Sequence, residues 1–434
     1  MLRPTRALLS FALALAACSL PQSPDAAAQP ASAAPAAAAP RSSPAPGTGP
    51  RAAVGPTREF RGAWVATVDN IDFPSRPGLP VAALQAELDQ IVRRAAELGL
   101  NALVFQVRPA ADAFYRSPLE PWSEWLTGAQ GRAPAGDFDP LAYVIARCHE
   151  RSLQLHAWFN PFRASHPAGK SPAAASHVTR RAPELCVRYG KHQWMDPGDA
   201  TAVKWTLAVI QDVVRRYDVD GVHVDDYFYP YPEGKAAFPD ARSFERYQGS
   251  GGRLSRDDWR RRNIDDFVRT LYELVHREKP WVLVGISPFG IARPGVPAGI
   301  EAGLDQYAQL YADVPKWLRE GWLDYLSPQL YWPIDDRPHA FDALLAYWHA
   351  HNPKDRAIWP GLSVSRLQQP KPPARHSELR DQVLRTRAAA NAHPGHVLFS
   401  FRALRDEAPQ LAGTLRELYQ ERAAVPALPS VTPR

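Results

Sequence analysis

Cysteine is scarce, with three residues in 434. That excludes a disulfide framework, and no two of the three have the spacing of a zinc site. After Cys18 only Cys148 and Cys186 remain. The first falls in an expected helix and the second in an expected long loop, near opposite ends of one strand, so two free thiols are expected. Blocks of lysine or arginine are also missing. The net charge of +6 is spread thinly, which describes a basic surface in an anionic envelope and not a nucleic-acid footprint, so no nucleic-acid partner is expected. No G-x-S-x-G elbow surrounds Ser287, which speaks against a serine hydrolase. No glycine-rich phosphate loop follows the first apolar run. That run, Trp64-Val65-Ala66-Thr67-Val68, lacks the His-x-His pair that usually opens a metal-dependent barrel, and His223-x-Asp225 supplies too few ligands. Neither a metal nor an organic cofactor is expected.

What is present begins with an address. Residues 1–18 carry Arg3 and Arg6, an apolar run from Ala7 and small residues up to Cys18. This is the pattern of a secretory signal, too short to serve comfortably as a membrane-spanning helix. Leu15-Ala16-Ala17-Cys18 resembles a bacterial lipobox, which makes Cys18 the expected lipidation site; a plainly cleaved signal peptide is the alternative. Ser19 rather than Asp follows it, pointing to the outer membrane and the periplasm. Residues 19–56 are almost all Pro, Ala and Ser without apolar period, a disordered tether. The expected layout is a signal peptide at 1–18, a tether at 19–56, one folded domain at 57–425 and a tail at 426–434. Few residues follow the last expected strand and its helix, so no added C-terminal module is expected, and the domain is expected to be a monomer.

From Phe60 onward, short apolar runs alternate with longer segments of helical period. The expected strands are 61–68, 101–108, 153–160, 219–226, 282–288, 323–331, 357–363 and 396–402. The expected helices are 81–98, 140–150, 199–217, 257–278, 305–320, 340–350, 377–392 and 404–422. Residues Ile264, Phe267, Val268, Leu271, Leu274 and Val275 share one helical face. Eight strand–helix units with near-continuously apolar strands predict an α/β fold, the (β/α)₈ TIM barrel. An open doubly wound sheet is the runner-up.

In such a barrel the site lies where strands end. The fourth expected strand ends in "VHVDDYFYP" (222–230), two adjacent carboxyls after an apolar run. Alternation places His223 and Asp225 on the inner side of that strand, Trp158 and Asn160 on the third, Gln106 and Arg108 on the second, Gln329 and Tyr331 on the sixth. Arg163, Tyr227, Trp332 and Asp335 lie just beyond strand ends. Hydrogen-bonding groups mixed with aromatic faces suit sugars, and glycosidic cleavage needs two carboxyl groups flanking the scissile bond. Adjacent Asp225 and Asp226 raise each other's pKa, which helps one stay protonated near neutrality. The structural alternative is also open. A strand-end Asp can cap a helix or pair with an arginine, Asp226 more readily than Asp225, and His156 and His223 can be satisfied core histidines.

Six blocks carry a resemblance: "RGAWVATVDNIDFPS" (61–75), "NALVFQVRPAADAFYRSPLEPWSEWLTG" (101–128), "HAWFNPFRAS" (156–165), "DGVHVDDYFYPYP" (220–232), "ISPFGI" (286–291) and "LYADVPKWLREGWLDYLSPQLYW" (310–332). In this order they resemble the glycosyl-hydrolase-like 10 family, formerly domain of unknown function 187, over about 59–420. The resemblance implies a glycosidase-type TIM barrel in a bacterial envelope lipoprotein. The implied activity is cleavage of peptidoglycan glycan strands stripped of stem peptides, by carboxyl acid/base chemistry. By that resemblance Asp225 is the principal catalytic carboxyl. Its partner stays open among Asp226, Glu233, Asp335 and Asp336, since no Glu ends the fourth, fifth or sixth strand. The candidate set is Asp225, Asp226 and Asp335 for catalysis. Arg108, Trp158, Asn160, Arg163, His223, Tyr227, Gln329, Tyr331 and Trp332 are the candidates for substrate binding. The loop 292–306 departs from the expected polar character, so Glu301 and Asp305 carry no assignment. A non-catalytic glycan-binding lipoprotein and a glycosidase of an exported amino-sugar polysaccharide are the alternatives.

Overall fold

The structure, a computed structural model, describes residues 56–368, 376–390, 392–405 and 409–432. The expected signal peptide, Cys18 and all of the tether before residue 56 lie outside the described residues.

Eight strands form the inner ring: β1 (Phe60–Val65), β2 (Ala102–Arg108), β3 (Gln154–Phe159), β4 (Gly221–Val224), β5 (Leu283–Ile286), β6 (Tyr325–Leu326), β7 (Ala357–Ile358 and Gly361–Ser363) and β8 (Gly395–Phe399). Every pairing between neighbours is parallel. β7 is broken because Pro360 has no N–H to give to a ladder. Its first half pairs with β6 and its second with β8, while Trp359 N–H donates to the Leu326 carbonyl (2.8 Å) and the Pro360 carbonyl accepts from Val397 N–H (3.0 Å). The ring is therefore closed, as the eight expected runs require.

The ring holds two layers of side chains. Val65, Phe105, Val222, Val224 and Ile286 point outward to the helices. Phe60, Trp64, Val104, Trp158, Tyr325 and Trp359 fill the inside. Large inner rings are accommodated by inner glycines. A Cβ on Gly285 would lie 1.8 Å from the Tyr325 ring, and one on Gly395 2.5 Å from Trp359. The surrounding helices begin where capping chemistry places them. Asp139 accepts from Ala142 N–H ahead of Pro140, and Asp199 accepts from Thr201 N–H.

Some features go beyond the expectation. The segment after β3 carries a small antiparallel sheet of Arg163–Ser165, His192–Met195 and Cys186–Tyr189, so Cys186 is in a strand and not a loop. The expected helix 305–320 is two, Gln306–Gln309 and Val314–Glu320, parted by Tyr311 at φ +56°, the second capped by Asp313 with Pro315 in its first turn. Through residue 432 the tail packs against the ring: Leu428 is buried among its inner residues, and Thr432 N–H donates to the Pro280 carbonyl. Cys148 is buried, Cys186 half-buried, and both are free thiols.

Candidate active site

The site grows from β4. Val222 and Val224 anchor the strand against the helices, so the alternate residues His223 and Asp225 point inward. Asp225 is buried where the strand opens into its loop. Its Oδ2 accepts from Trp158 Nε1–H (3.1 Å) and Asn160 Nδ2–H (3.2 Å), and its Oδ1 lies 3.4 Å from the Tyr227 N–H. The Asn160 amide is held in that orientation because its own oxygen accepts from Arg163 N–H (3.0 Å). Burial pushes the Asp225 carboxyl up to about 7. Arg163 pulls it back and Asp226 raises it further.

Asp226 is also buried, with different partners. Its Oδ2 accepts from the Tyr231 hydroxyl, and Gln329 also favours its carboxylate; burial still raises its pKa above the usual range. Gln329 in turn donates to the Ser287 carbonyl (3.0 Å). Arg163 is buried, with its Cζ 5.1 Å from the centre of the Tyr227 ring. Its Nε–H donates to the Pro109 carbonyl (3.0 Å). The small sheet fixes its backbone opposite Trp194, whose indole N–H donates to the Phe228 carbonyl and ties that sheet to the Asp225 loop. Tyr331 stacks on Phe399, within electrostatic reach of Asp226. Trp332 stacks on His339 at 4.8 Å. The structure thus gathers Asp225, Asp226, Trp158, Asn160, Arg163, Tyr227, Gln329 and Tyr331 around one mouth.

Three expected members are elsewhere. His223 is buried below the mouth with both ring nitrogens occupied. Trp64 Nε1–H donates to its Nε2 (3.2 Å), so the proton sits on Nδ1 and is given to the Tyr325 hydroxyl (3.0 Å). Tyr325 then donates to His156 Nδ1 (2.8 Å), and His156 Nε2–H to Gln154 (3.1 Å). Burial lowers the pKa of both histidines, His156 to about 4, which keeps this chain neutral. Arg108 is turned away by a register shift between Gln106 and Arg108. The shift pairs Arg108 with Phe159, whose side chain faces outward. There its Nε–H donates to Glu120 at 2.8 Å, and its Nη1–H to the Asn160 and Pro161 carbonyls. Asp335 is exposed on the turn after β6, where its charge acts on Glu378.

Neither Tyr231 nor Asp112 is among the residues expected at the site from the sequence. A small cleft adjoins the mouth, lined among others by Asp112, Glu124, Trp125, Gln130, His166 and His177; Ala164 and Ser165, next after Arg163, also border it. Burial pushes Asp112 up to about 7, although Ala110 N–H (3.1 Å) and Gln130 (3.3 Å) donate to it. Glu124 accepts from the Lys170 and Ser171 amides, both at 2.7 Å. Among the described residues no group of three or more His, Cys, Asp and Glu side chains could hold a metal ion.

This arrangement can be set beside known proteins. The family model for glycosyl hydrolase-like 10 matches residues 59–374, every strand from β1 to β7. The chain belongs to that family. Glycosyl hydrolase YngK of Bacillus subtilis is 40% identical over 306 residues, 69% of this chain and 59% of YngK, so the chain spans less than two thirds of that relative. Glycosyl hydrolase DigH of Escherichia coli K12 is 31% identical over 338 residues, 72% of this chain and 75% of DigH. Among solved structures, the PgaB (BpsB) glycoside hydrolase domain from Bordetella bronchiseptica superposes with a TM-score of 0.52 over 84% of this chain and 99% of its own, at 13% identity. Alpha-L-fucosidase isoenzyme 2 from Paenibacillus thiaminolyticus gives 0.53 over 83% and 49%, at 12% identity. These last two share the fold. The expected TIM barrel is the observed one, and the family is a glycosidase-type family.

Proposed function

We propose that the chain is a glycoside hydrolase that cleaves peptidoglycan glycan strands, chiefly those without stem peptides, with Asp225 as principal catalytic carboxyl. The observation that carries this reading is the environment of Asp225: a buried strand-end carboxyl raised to about 7 yet served by the two donors Trp158 and Asn160. Near neutrality such a group is about half protonated, so it can give a proton to a glycosidic oxygen, and both donors then hold the carboxylate it becomes. Asp226, with Tyr231 and Gln329, is the neighbouring charge that keeps the Asp225 proton on. Arg163, Tyr227, Gln329 and Tyr331 bind and orient the sugar. No step in this scheme calls for a metal or organic cofactor. The proposed setting is the periplasmic face of the outer membrane, reached by lipidation at Cys18, with the chain as a monomer. The named relatives DigH and YngK are glycosyl hydrolases, which supports the reaction class.

Purified protein incubated with amidase-treated sacculi should release soluble glycan fragments, and an Asp225→Asn variant should not. Equal release by the variant would sink the catalytic assignment. One observation favours a second reading, glycan binding without cleavage: Asp335, a candidate partner carboxyl, is exposed on a turn. Tight glycan binding by the wild type with no bond broken would select that reading.

A further inference from the structure

Four arginines are buried among the described residues: Arg61, Arg108, Arg163 and Arg260. Three are matched to carboxylates, Arg61 to Glu59 at 2.7 Å, Arg108 to Glu120 at 2.5 Å and Arg260 to Asp240 at 2.6 Å. Arg163 alone has no carboxylate oxygen within ion-pairing distance among the described residues. Its Nε is used by the Pro109 carbonyl, and its Nη1 and Nη2 have no protein partner among those residues. Buried charges are ordinarily matched by a counter-ion, and the other three arginines follow that rule, whereas the Nη1 and Nη2 edge of Arg163 is open to solvent. The exception stands at the mouth, within electrostatic reach of both Asp225 and Asp226 but bonded to neither.

The side chain is also held ready. The Pro109 carbonyl fixes one edge, the Tyr227 face covers the plane, and the small sheet fixes the backbone. What is left is the planar two-nitrogen edge that matches a carboxylate. The adjoining cleft presents the Glu124 carboxylate and no lysine or arginine, so an anionic group on a ligand finds its cationic partner at Arg163 and not there.

We propose that the unpaired guanidinium of Arg163 binds the carboxylate of an acidic sugar unit in the substrate: the lactyl carboxylate that muramic acid exposes once its stem peptide is gone. This rests on the peptidoglycan reading above and makes Arg163 the residue that selects stripped strands. Converting the carboxylate to an amide, as a stem peptide does, removes the charge Arg163 would meet.

Binding and cleavage separate the two ideas. Calorimetry with a purified tetrasaccharide of alternating N-acetylglucosamine and N-acetylmuramic acid should give at least about ten-fold tighter binding than the same tetrasaccharide methyl-amidated at its lactyl carboxyls. In Arg163→Gln the two should bind within about two-fold of each other, at the affinity of the amidated form. Arg163→Lys should keep part of the preference and lose part, because the charge remains and the fork does not. Equal wild-type binding of the two tetrasaccharides, or a preference that persists in Arg163→Gln, overturns the inference. So does an oligouronate that binds more tightly than the muramic strand, which would put the recognised carboxylate on the sugar ring. If Arg163→Gln fails to fold, the wild-type comparison still decides. Absence of cleavage by a wild type that shows the preference counts against the hydrolase reading alone.

Discussion

Arg108 and Arg163 stand near the ends of neighbouring strands, both buried, both followed or preceded by proline-containing loops, and they do opposite work. Arg108 is closed: Glu120, two carbonyls and the Met195 sulfur take up its guanidinium, and Trp205 donates to the same Glu120. Arg163 is open, touching Pro109 and Tyr227 and leaving two nitrogens without protein partners among the described residues. Neither burial nor residue type tells them apart. The number of hydrogen-bonding atoms left over does, and it separates a fold-holding charge from one kept for a ligand.

The comparison can be broken at several points. The largest expected effect is on the open side: Asp225→Asn should lower kcat/KM on stripped strands by about 10²–10⁴-fold while leaving the melting temperature at pH 8 unchanged or higher. Fragment release and calorimetric melting check the two halves. On the closed side, Arg108→Ala leaves Glu120 buried without its partner and should cost about 3–5 kcal/mol of stability. In the same denaturant titration Arg163→Gln should lose little or nothing, and equal losses would erase the distinction drawn here.

Smaller and more discriminating is the pH dependence at Asp112. The folded chain keeps this proton up to about 7, whereas an unfolded Asp gives it up near 4. The folded state therefore binds more protons between those values, so its contribution to stability is complete below about 4 and is lost as pH rises through about 7. Asp112→Asn, which stays neutral, should be more stable than wild type by about 2–4 kcal/mol at pH 8.5 and nearly equal to it at pH 4, as melting at the two pH values would show. The finest test is the titration of Asp225 itself. Arg163 holds that carboxyl below where burial alone would put it. In Arg163→Gln its apparent pKa should rise above about 7, moving the corresponding limb of the pH–rate profile to higher pH. An unmoved limb would mean that Arg163 and Asp225 do not sense each other.

Much of this was legible in the sequence, for identifiable reasons. The inner strands lie within apolar runs that recur in alternation with helical segments, so even the two-residue β6 could be placed by its position in the series, and Asp225 follows β4 in unbroken alternation, so its inward direction could be read. Arg108 was misread because one register shift reverses a side chain's direction without leaving a mark in the letters. His223 shares the parity of Asp225 but lies one step deeper, where Trp64 and Tyr325 close over it. Tyr231 and Asp112 lie on loops whose course depends on contacts with distant segments, and the small sheet that braces Arg163 has strands of three or four residues, too short to show a period. Leu428 is one apolar residue in a proline-rich stretch, and only the open floor of the ring explains why it is buried.

The closure of the ring has a consequence in time. β1 finds one neighbour in β2 but the other only in β8, where Phe60 pairs with Gly395 and Ala63 with Leu398. Asp72 likewise waits for Ser400, 328 positions later. At roughly 5–20 residues per second, a ribosome needs about 16–66 s to cover that distance. Throughout that interval the first strand keeps one bare edge and the barrel remains an open, curled ribbon. A polypeptide built this way stays unlocked until its eighth strand has been made, and for all of that time its backbone can still be drawn out straight.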